Sequence, residues 1–588
     1  MDFRQFMQYN IKDMDSLLDF KKEETIGEVI SVDTGMAIVT IERDELLSKL
    51  QVNQLLAIKS PYAGRHIIGM IVKIFRKALA EAFDIMDEDN NIISNLNQIR
   101  VVFIGEFLDN DGIKKNSFKR NVCAVPSIGA SCYRLEGERL TNLMKSISSD
   151  SAEVEHPLII GKYTMDETSI AYLDGDKLFQ RHAAIVGSTG SGKSYSVARI
   201  VEQMAELKYA NAILFDIHGE YSTKTFCKEG IIHYRIANPS DLLQKNKLEH
   251  GIIMLPYWLL NYEEMQALLL DRSDQNAPNQ AMILSKEILA SKSKIVKDGK
   301  YENKITVDSP VPYKLIDVLS NMEKSDTEMV KGTRGEKQGP YYGKLTRFNQ
   351  RLRNKLSDKR MGFMFSLSEE ELQLNWLSKF CSGLMSISDK KDRVKVIDFS
   401  EVPSDVLPLV TGLIARIIFS VQQWSCNDKR HPIAFLCDEA HLYVQQVGNH
   451  DAIADIGIKS FERIAKEGRK YGLGLVIISQ RPSEVNRTVL SQCNNFISMR
   501  LTNVEDQNVI RKLLPDNLGN IADNLSLLDI GEAIIVGDSI LLPSRIKVDV
   551  PHIKPDSQTV KFWQIWSDDQ IVQDLNDAIN SMIIQSKS

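Results

Sequence analysis

The residues Gly187-Ser188-Thr189-Gly190-Ser191-Gly192-Lys193-Ser194 form a Gly-x-x-x-x-Gly-Lys-Ser loop, and no other stretch restricts the fold of this chain so tightly. The apolar run Ala183-Ala184-Ile185-Val186 precedes it, and Tyr195, Val197, Ile200, Val201 and Met204 follow at helical spacing. The loop therefore joins a buried strand to a helix. That context is what a phosphate cradle requires. Glycines at 187, 190 and 192 let successive N–H groups turn inward around phosphate oxygens, and the helix N-terminus adds a favourable dipole. Gly187 through Tyr195 are thus the candidate residues for binding ATP, with Lys193 reaching the β- and γ-phosphates and Ser194 ligating Mg²⁺.

A second acidic element decides between nucleotide binding and hydrolysis. Ile433-Ala434-Phe435-Leu436-Cys437 reads as a strand buried on both faces of a parallel sheet, and it ends in Asp438-Glu439-Ala440-His441. An open α/β sheet places its ligand site at the C-terminal ends of its strands. Asp438 is the candidate for the Mg²⁺ shell and Glu439 for the base that polarises an attacking water. Taken alone, the pair is also compatible with an ordinary helix N-cap. Beside a P-loop it favours hydrolysis.

With 588 residues the chain is too long for one core, and several domains are expected. A hydrophobic share of 43% and a charged share of 26% are those of soluble globular protein. No uninterrupted apolar segment reads as a membrane span and Met1-Asp2-Phe3-Arg4-Gln5 begins no signal peptide, so a cytoplasmic protein without a membrane partner is expected. The 7 cysteines are scattered without a Cys-x-x-Cys, which supports neither a disulfide framework nor a zinc site. The 10 histidines include no His-Glu-x-x-His, which removes the metalloprotease reading. A net charge of -6 argues against an all-basic surface, although a ring can be acidic outside and basic along its channel.

Along the chain, short apolar runs dominate first. Ile26–Val32 and Met36–Ile41 flank the turn Asp33-Thr34-Gly35 as a hairpin, followed by Leu55–Ile58, Ile67–Val72, Val101–Gly105 and Val122–Pro126. They predict a small closed β-barrel within residues 1–155, with Met86–Asn91 as a polar loop and Ser146–Ser151 as a linker. From Pro157 the pattern is α/β with a mostly parallel sheet, assigned to residues 156–238 and 382–545. Its further strands are Ala212–Phe215, Val394–Phe399, Gly474–Ile478 and Asn495–Met499. Residues 239–381 read as a helical insertion, with patterns at Tyr262–Leu270 and Met282–Leu289. Residues 546–588 read as a C-terminal brace or tail, begun by a strand near Leu541–Val548 that leaves the core.

These motifs carry a family resemblance. The P-loop, Asp216-Ile217-His218-Gly219-Glu220-Tyr221, Asp438-Glu439-Ala440-His441, Lys466-Glu467-Gly468-Arg469-Lys470-Tyr471-Gly472 and Ser479-Gln480-Arg481-Pro482, in this order, resemble the HerA branch of the HerA/FtsK superfamily. The Asp-x-His-Gly-Glu-Tyr string is the most family-specific. The resemblance implies a RecA-like core in a homo-hexameric, DNA-translocating ATPase or helicase that binds duplex DNA without sequence preference. It also implies ATP between subunits, with an arginine from the neighbour. Transition-state charge on the phosphoryl oxygens independently calls for such a cation. Arg469 is the first candidate, with Arg463, Arg500 and Arg181 as alternatives. Gln480 is, by resemblance, a sensor of the γ-phosphate or its water, the alternative being a buried amide that satisfies backbone groups; Asp216 and Glu220, at a strand end near the phosphates, are candidates to tune the metal or the base.

DNA contacts are less legible. The basic stretches Lys292–Lys300 and Lys331–Lys337 read either as channel loops or as solvated surface. No nuclease or NADase motif is visible, so the resemblance implies a partner effector in trans, a nuclease or a sirtuin-type NADase, docking on the N-terminal barrel. Residues Met1–Phe20 are a candidate hook for it. DNA processing and antiphage defence are both open contexts. The alternative to a motor is a ring scaffold that assembles and activates the effector.

Overall fold

The computed structural model describes residues 18–78, 95–109, 117–148, 157–296, 301, 303–332, 335–385, 392–446, 452–513, 523–540, 542–557, 560–567 and 575–586. The polar loop Met86–Asn91, most of the segment Met1–Phe20 and the end of the linker at Ser149–Ser151 lie outside them. The chain forms two compact units, one of Met1–Ile200 with Asn494–Pro551 and one of Val201–Cys493 with His552–Ser588.

The first unit opens with a closed barrel. Strands Thr25–Val32, Ser131–Arg134, Leu55–Lys59, Arg65–Ala78, Asn95–Leu108 and Met36–Thr40 pair in that order, all antiparallel, and the last returns to the first. Alternate side chains such as Val29, Val39, Leu56, Ile58, Ile67, Ile99 and Val101 fill the interior. Register shifts at Ile68/Gly69 and Ile71/Lys73 bend the two longest strands around it. In the first hairpin the Asp33 carboxylate accepts from the N–H groups of Gly35 and Met36 at 2.8 and 3.0 Å, an Asx-type turn that fixes the register.

One expected strand is corrected. Val122–Pro126 is irregular, with Val125 exposed, and the barrel closes instead through Ser131–Arg134. Pro126 has no N–H to give a ladder, which keeps it out of a strand paired on both sides. The helix Gly137–Ser148 also covers the first half of the expected linker.

The remaining strands of this unit run in the order Ala183–Val186, Asn495–Met499, Glu532–Gly537, Ser544–Val548, Leu158–Tyr163, Asp166–Leu173. The first ladder is parallel and the others antiparallel. Ser544–Val548 therefore does not leave the core as expected; it is paired on both edges. A Cβ on Gly161 would collide with the carbonyl of Lys547, so only glycine permits this approach.

In the second unit Ile252–Ile253, Ile231–Ile236, Val394–Asp398, Ala212–Asp216, Ile433–Cys437 and Leu473–Ser479 form a wholly parallel array in that order. The last three are largely continuous apolar runs because helices cover both faces of such a sheet, and all three are buried throughout. The helix Leu407–Trp424 has the length and hydropathy of a membrane span, which the sequence reading had not found. Most of it is buried, and Arg416 at its middle is paired bidentately with the buried Glu264 at 2.7 and 2.8 Å. It packs on the helix Ala452–Glu467 with Gly412 against Gly457; a Cβ at 412 would lie 2.6 Å from the Gly457 backbone.

Between Pro239 and Cys381 the chain forms the helices Tyr262–Leu269, Ala277–Ile295, Leu315–Thr327, Thr346–Ser357 and Trp376–Met385. Of the two expected basic stretches, residues 297–300 and 333–334 lie outside the described residues. Lys292 belongs to a helix and is buried, its Nζ donating to the carbonyls of Val307 and Ser309 at 2.6 and 2.7 Å. Burial pulls its pKa down to about 8, and it ties the helix to the following loop instead of facing a channel. Met329–Gly332 and Gly335–Gln338 pair as an exposed antiparallel hairpin. There Lys331 stands opposite Glu336, a cross-strand pair of opposite charge.

Candidate nucleotide site

The strand Ala183–Val186 is completely buried and the helix Lys193–Glu206 starts directly after the loop. Gly190 and Gly192 have φ of +74° and +101°, backbone that turns the loop back on itself and that side-chain-bearing residues avoid. Space above Gly190 is open, with no atom within 4 Å of a Cβ placed there. Gly187 is closed in: a Cβ would stand 2.5 Å from Ser191 Oγ and 2.9 Å from Met499 Cβ. Lys193 is buried, whereas Ser188, Ser194 and Tyr195 are half-buried and Thr189 is exposed. The buried Ser191 Oγ has no hydrogen-bond partner among the described residues. Open space over the left-handed Gly190, a lysine on the first turn and an unmatched buried hydroxyl fit a bound triphosphate; the half-exposed Ser194 hydroxyl fits a ligand of Mg²⁺.

The loop is braced by residues that its spacing does not reveal. Ser188 N–H donates to the Arg500 carbonyl at 2.8 Å, Thr502 N–H donates to Ser188 Oγ at 3.2 Å, and Gly531 N–H donates to the Ser191 carbonyl at 2.8 Å. Met499 underlies Gly187, Gly192 and Ser196. All four lie over 300 residues downstream, and only the strand Asn495–Met499 beside Ala183–Val186 brings them here. The sole local signal was a turn glycine at 531.

In the second unit Asp438 and Glu439 follow the buried strand Ile433–Cys437, each 2% exposed. Glu439 makes no side-chain capping hydrogen bond: it has left-handed backbone (φ 44°, ψ 43°) and leads into the short turn Ala440–Leu442. Its Oε1 accepts from Gln480 Nε2 at 2.5 Å and its Oε2 lies 3.3 Å from His441 Nδ1. His441 Nδ1 is also 3.3 Å from Ser479 Oγ. Thus the structure brings Gln480 onto Glu439. Asp438, buried and acidic, has the oxygen chemistry that Mg²⁺ prefers.

Asp216 holds together the turn that follows its strand. Its carboxylate accepts from the N–H groups of Glu220 and Tyr221 at 3.0 and 2.9 Å and from Ser222 Oγ at 2.7 Å, so it organises the turn Ile217–Tyr221 around itself. Burial, reinforced by Asp398 on the neighbouring strand and opposed by the Ser222 hydroxyl, pushes its pKa up to about 6. Gly219 takes the left-handed position at the corner, Glu220 is half-buried and His218 points outward, exposed.

Among the arginine candidates, Arg463 stacks on Phe419 and bonds Gln423, and Arg181 pairs with Asp538. Arg469 is exposed on the turn Gly468–Tyr471, and its guanidinium has no partner among the described residues. Arg500 is half-buried and enters the P-loop only through its carbonyl.

A formed P-loop after one buried strand and a buried Asp-Glu pair after another define a P-loop ATPase. Residues 158–418 match the family model of the helicase HerA central domain. The chain is 25% identical over 529 residues to a probable helicase of Methanocaldococcus jannaschii, covering 87% of this chain and 90% of that protein. It is 27% identical over 440 residues to the DNA double-strand break repair helicase HerA of Saccharolobus solfataricus, covering 72% and 73%. A solved structure of the plasmid coupling protein TrwB with ADP and Mg²⁺ covers 71% of this chain and 94% of its own, at 12% identity and a TM-score of 0.42. Residues 158–418 thus match the HerA family model, and the chain is similar to HerA helicases beyond that stretch.

Proposed function

We propose that this ATPase is a motor that works on duplex DNA as a homo-hexamer. The observation that carries the reading is the formed phosphate cradle at Gly187–Tyr195 in a chain that matches the HerA central-domain model and has relatives named as DNA double-strand break repair helicases. In this reading the loop N–H groups and Lys193 hold ATP, Ser194 and Asp438 hold Mg²⁺, and Glu439 takes the proton of the attacking water. Mg²⁺, when bound, supplies charge to the phosphoryl oxygens. Arg469, exposed and without a partner among the described residues, serves the nucleotide of the neighbouring subunit.

A ring is further supported by the apolar tail. The helices Phe562–Trp566 and Asn576–Ile584 expose Phe562, Trp563, Ile565, Trp566, Met582 and Ile583, with Trp563 at 84%. Large apolar side chains exposed in this number mark an interaction surface. The N-terminal barrel, residues 1–155, is the docking surface for an effector such as a nuclease or a sirtuin-type NADase.

The test is ATP turnover with and without linear duplex DNA across a salt series. A motor gripping phosphates is stimulated at low salt, and the stimulation fades as counterions compete. Absence of stimulation at low salt, together with strong dependence on a barrel-bound effector, would overturn the motor in favour of a scaffold.

A further inference from the structure

Glu439 and Gln480 come from adjacent strands. The ladder from Ile433↔Leu473 to Cys437↔Ile477, carried two positions on, sets Glu439 level with Ser479, and Gln480 is the next residue. Left-handed backbone at Glu439 is one that a residue with a side chain keeps only when its surroundings hold it there. Those surroundings are specific. Arg481 N–H donates to Ser479 Oγ at 3.0 Å, which fixes the turn out of the strand and presents Gln480; its Nε2 then meets Glu439 Oε1 at 2.5 Å. His441 closes the other side, 3.3 Å from both Glu439 Oε2 and Ser479 Oγ.

A buried carboxylate needs donors, and it can only accept. The amide therefore presents Nε2 to Glu439, and the orientation of Gln480 is set by the carboxylate. A sensor of the γ-phosphate would instead have its amide oriented by phosphate or water.

We propose that Gln480 is a positioning residue for Glu439, fixing the carboxylate's rotamer for proton abstraction, and that ATP is told from ADP elsewhere. The proposal rests on Glu439 being the base. Two roles for one amide separate cleanly: a phosphate sensor contributes to ATP-over-ADP preference, whereas a residue that orients the base acts on the hydrolytic step alone.

The full-length protein is compared with Gln480→Ala and Gln480→Leu in steady-state hydrolysis. ATP and ADP affinities are measured by equilibrium binding in Glu439→Gln and in Glu439→Gln with Gln480→Ala. Both single variants are expected to lower kcat about tenfold or more with KM for ATP within about twofold, as for a misplaced general base. The ATP/ADP affinity ratio is expected to stay within about twofold. A fall of about fivefold or more in that ratio would make Gln480 a phosphate sensor and overturn the proposal. So would an unchanged kcat, or a loss in Gln480→Ala that Gln480→Leu, which keeps the volume, does not share. Wild-type hydrolysis by Glu439→Gln would remove the premise, a failure distinguishable because it is read without touching Gln480.

Discussion

Gly192→Ala and Gly190→Ala place the same methyl group two residues apart in one loop, and the structure separates their effects. Both glycines have positive φ, +74° at Gly190 and +101° at Gly192. The first lies in reach of the left-handed region that alanine tolerates at a cost of about 1 kcal/mol; the second lies beyond it, where strain is about 1–3 kcal/mol. Packing adds to the difference. A Cβ at 190 meets nothing within 4 Å, whereas at 192 it stands 3.1 Å from both Cα and N of Gly531. Gly531 cannot yield without loosening its own N–H bond to the Ser191 carbonyl. Tight contact with fixed backbone adds about 1 kcal/mol or more, so Gly192→Ala is expected to cost about 2–4 kcal/mol against about 1 for Gly190→Ala. In a unit of this size that is a fall of about 4–16 °C in the unfolding midpoint against about 2–4 °C. Thermal unfolding of both variants without nucleotide reads it directly. A Gly190→Ala variant destabilised as much as Gly192→Ala would refute the reasoning.

Lys193→Ala is expected to lose ATP affinity as well as turnover because it removes a phosphate contact, whereas Glu439→Gln keeps binding and loses hydrolysis. Equal binding losses, measured by equilibrium titration, would reject these separate roles. Mixing Arg469→Ala with Lys193→Ala protein should restore part of the ATPase activity, since mixed rings contain interfaces with both halves intact. No recovery in rings shown to exchange subunits would exclude Arg469. Asp216 gives a pH dependence of stability with a fixed sign. Its folded pKa of about 6 stands above the ordinary 3.8, so the folded state holds the proton more tightly and stability falls as pH rises from about 4 through 6. The full span is worth about 3 kcal/mol, and Asp216→Asn should flatten that slope in chemical denaturation; an unchanged slope would contradict the burial argument.

The sequence by itself determined the elements whose chemistry is local. A P-loop is legible because its eight consecutive residues, Gly187–Ser194, serve one phosphate chain, so spacing alone specifies it. Ile433–Cys437 and Ala212–Phe215 were legible because a strand buried on both faces has no polar alternation to confuse with a helix. The barrel's first hairpin was legible because Asp33 and Gly35 fix its turn.

Tertiary structure decided whatever depends on pairing between distant residues. Val122–Pro126 and Ser131–Arg134 are both short and partly apolar; which of them closes the barrel depends on which can offer N–H groups to two neighbours at once. Whether Lys292 faces solvent or the carbonyls of Val307 and Ser309 is set by packing, since a basic run looks the same in either place. Gly531, Met499 and the Arg500 carbonyl brace the P-loop from the far end of the chain, where no spacing rule connects them. The partner of Gln480 was likewise invisible: an amide can serve a phosphate or a carboxylate, and only the register of two adjacent strands brings it to Glu439.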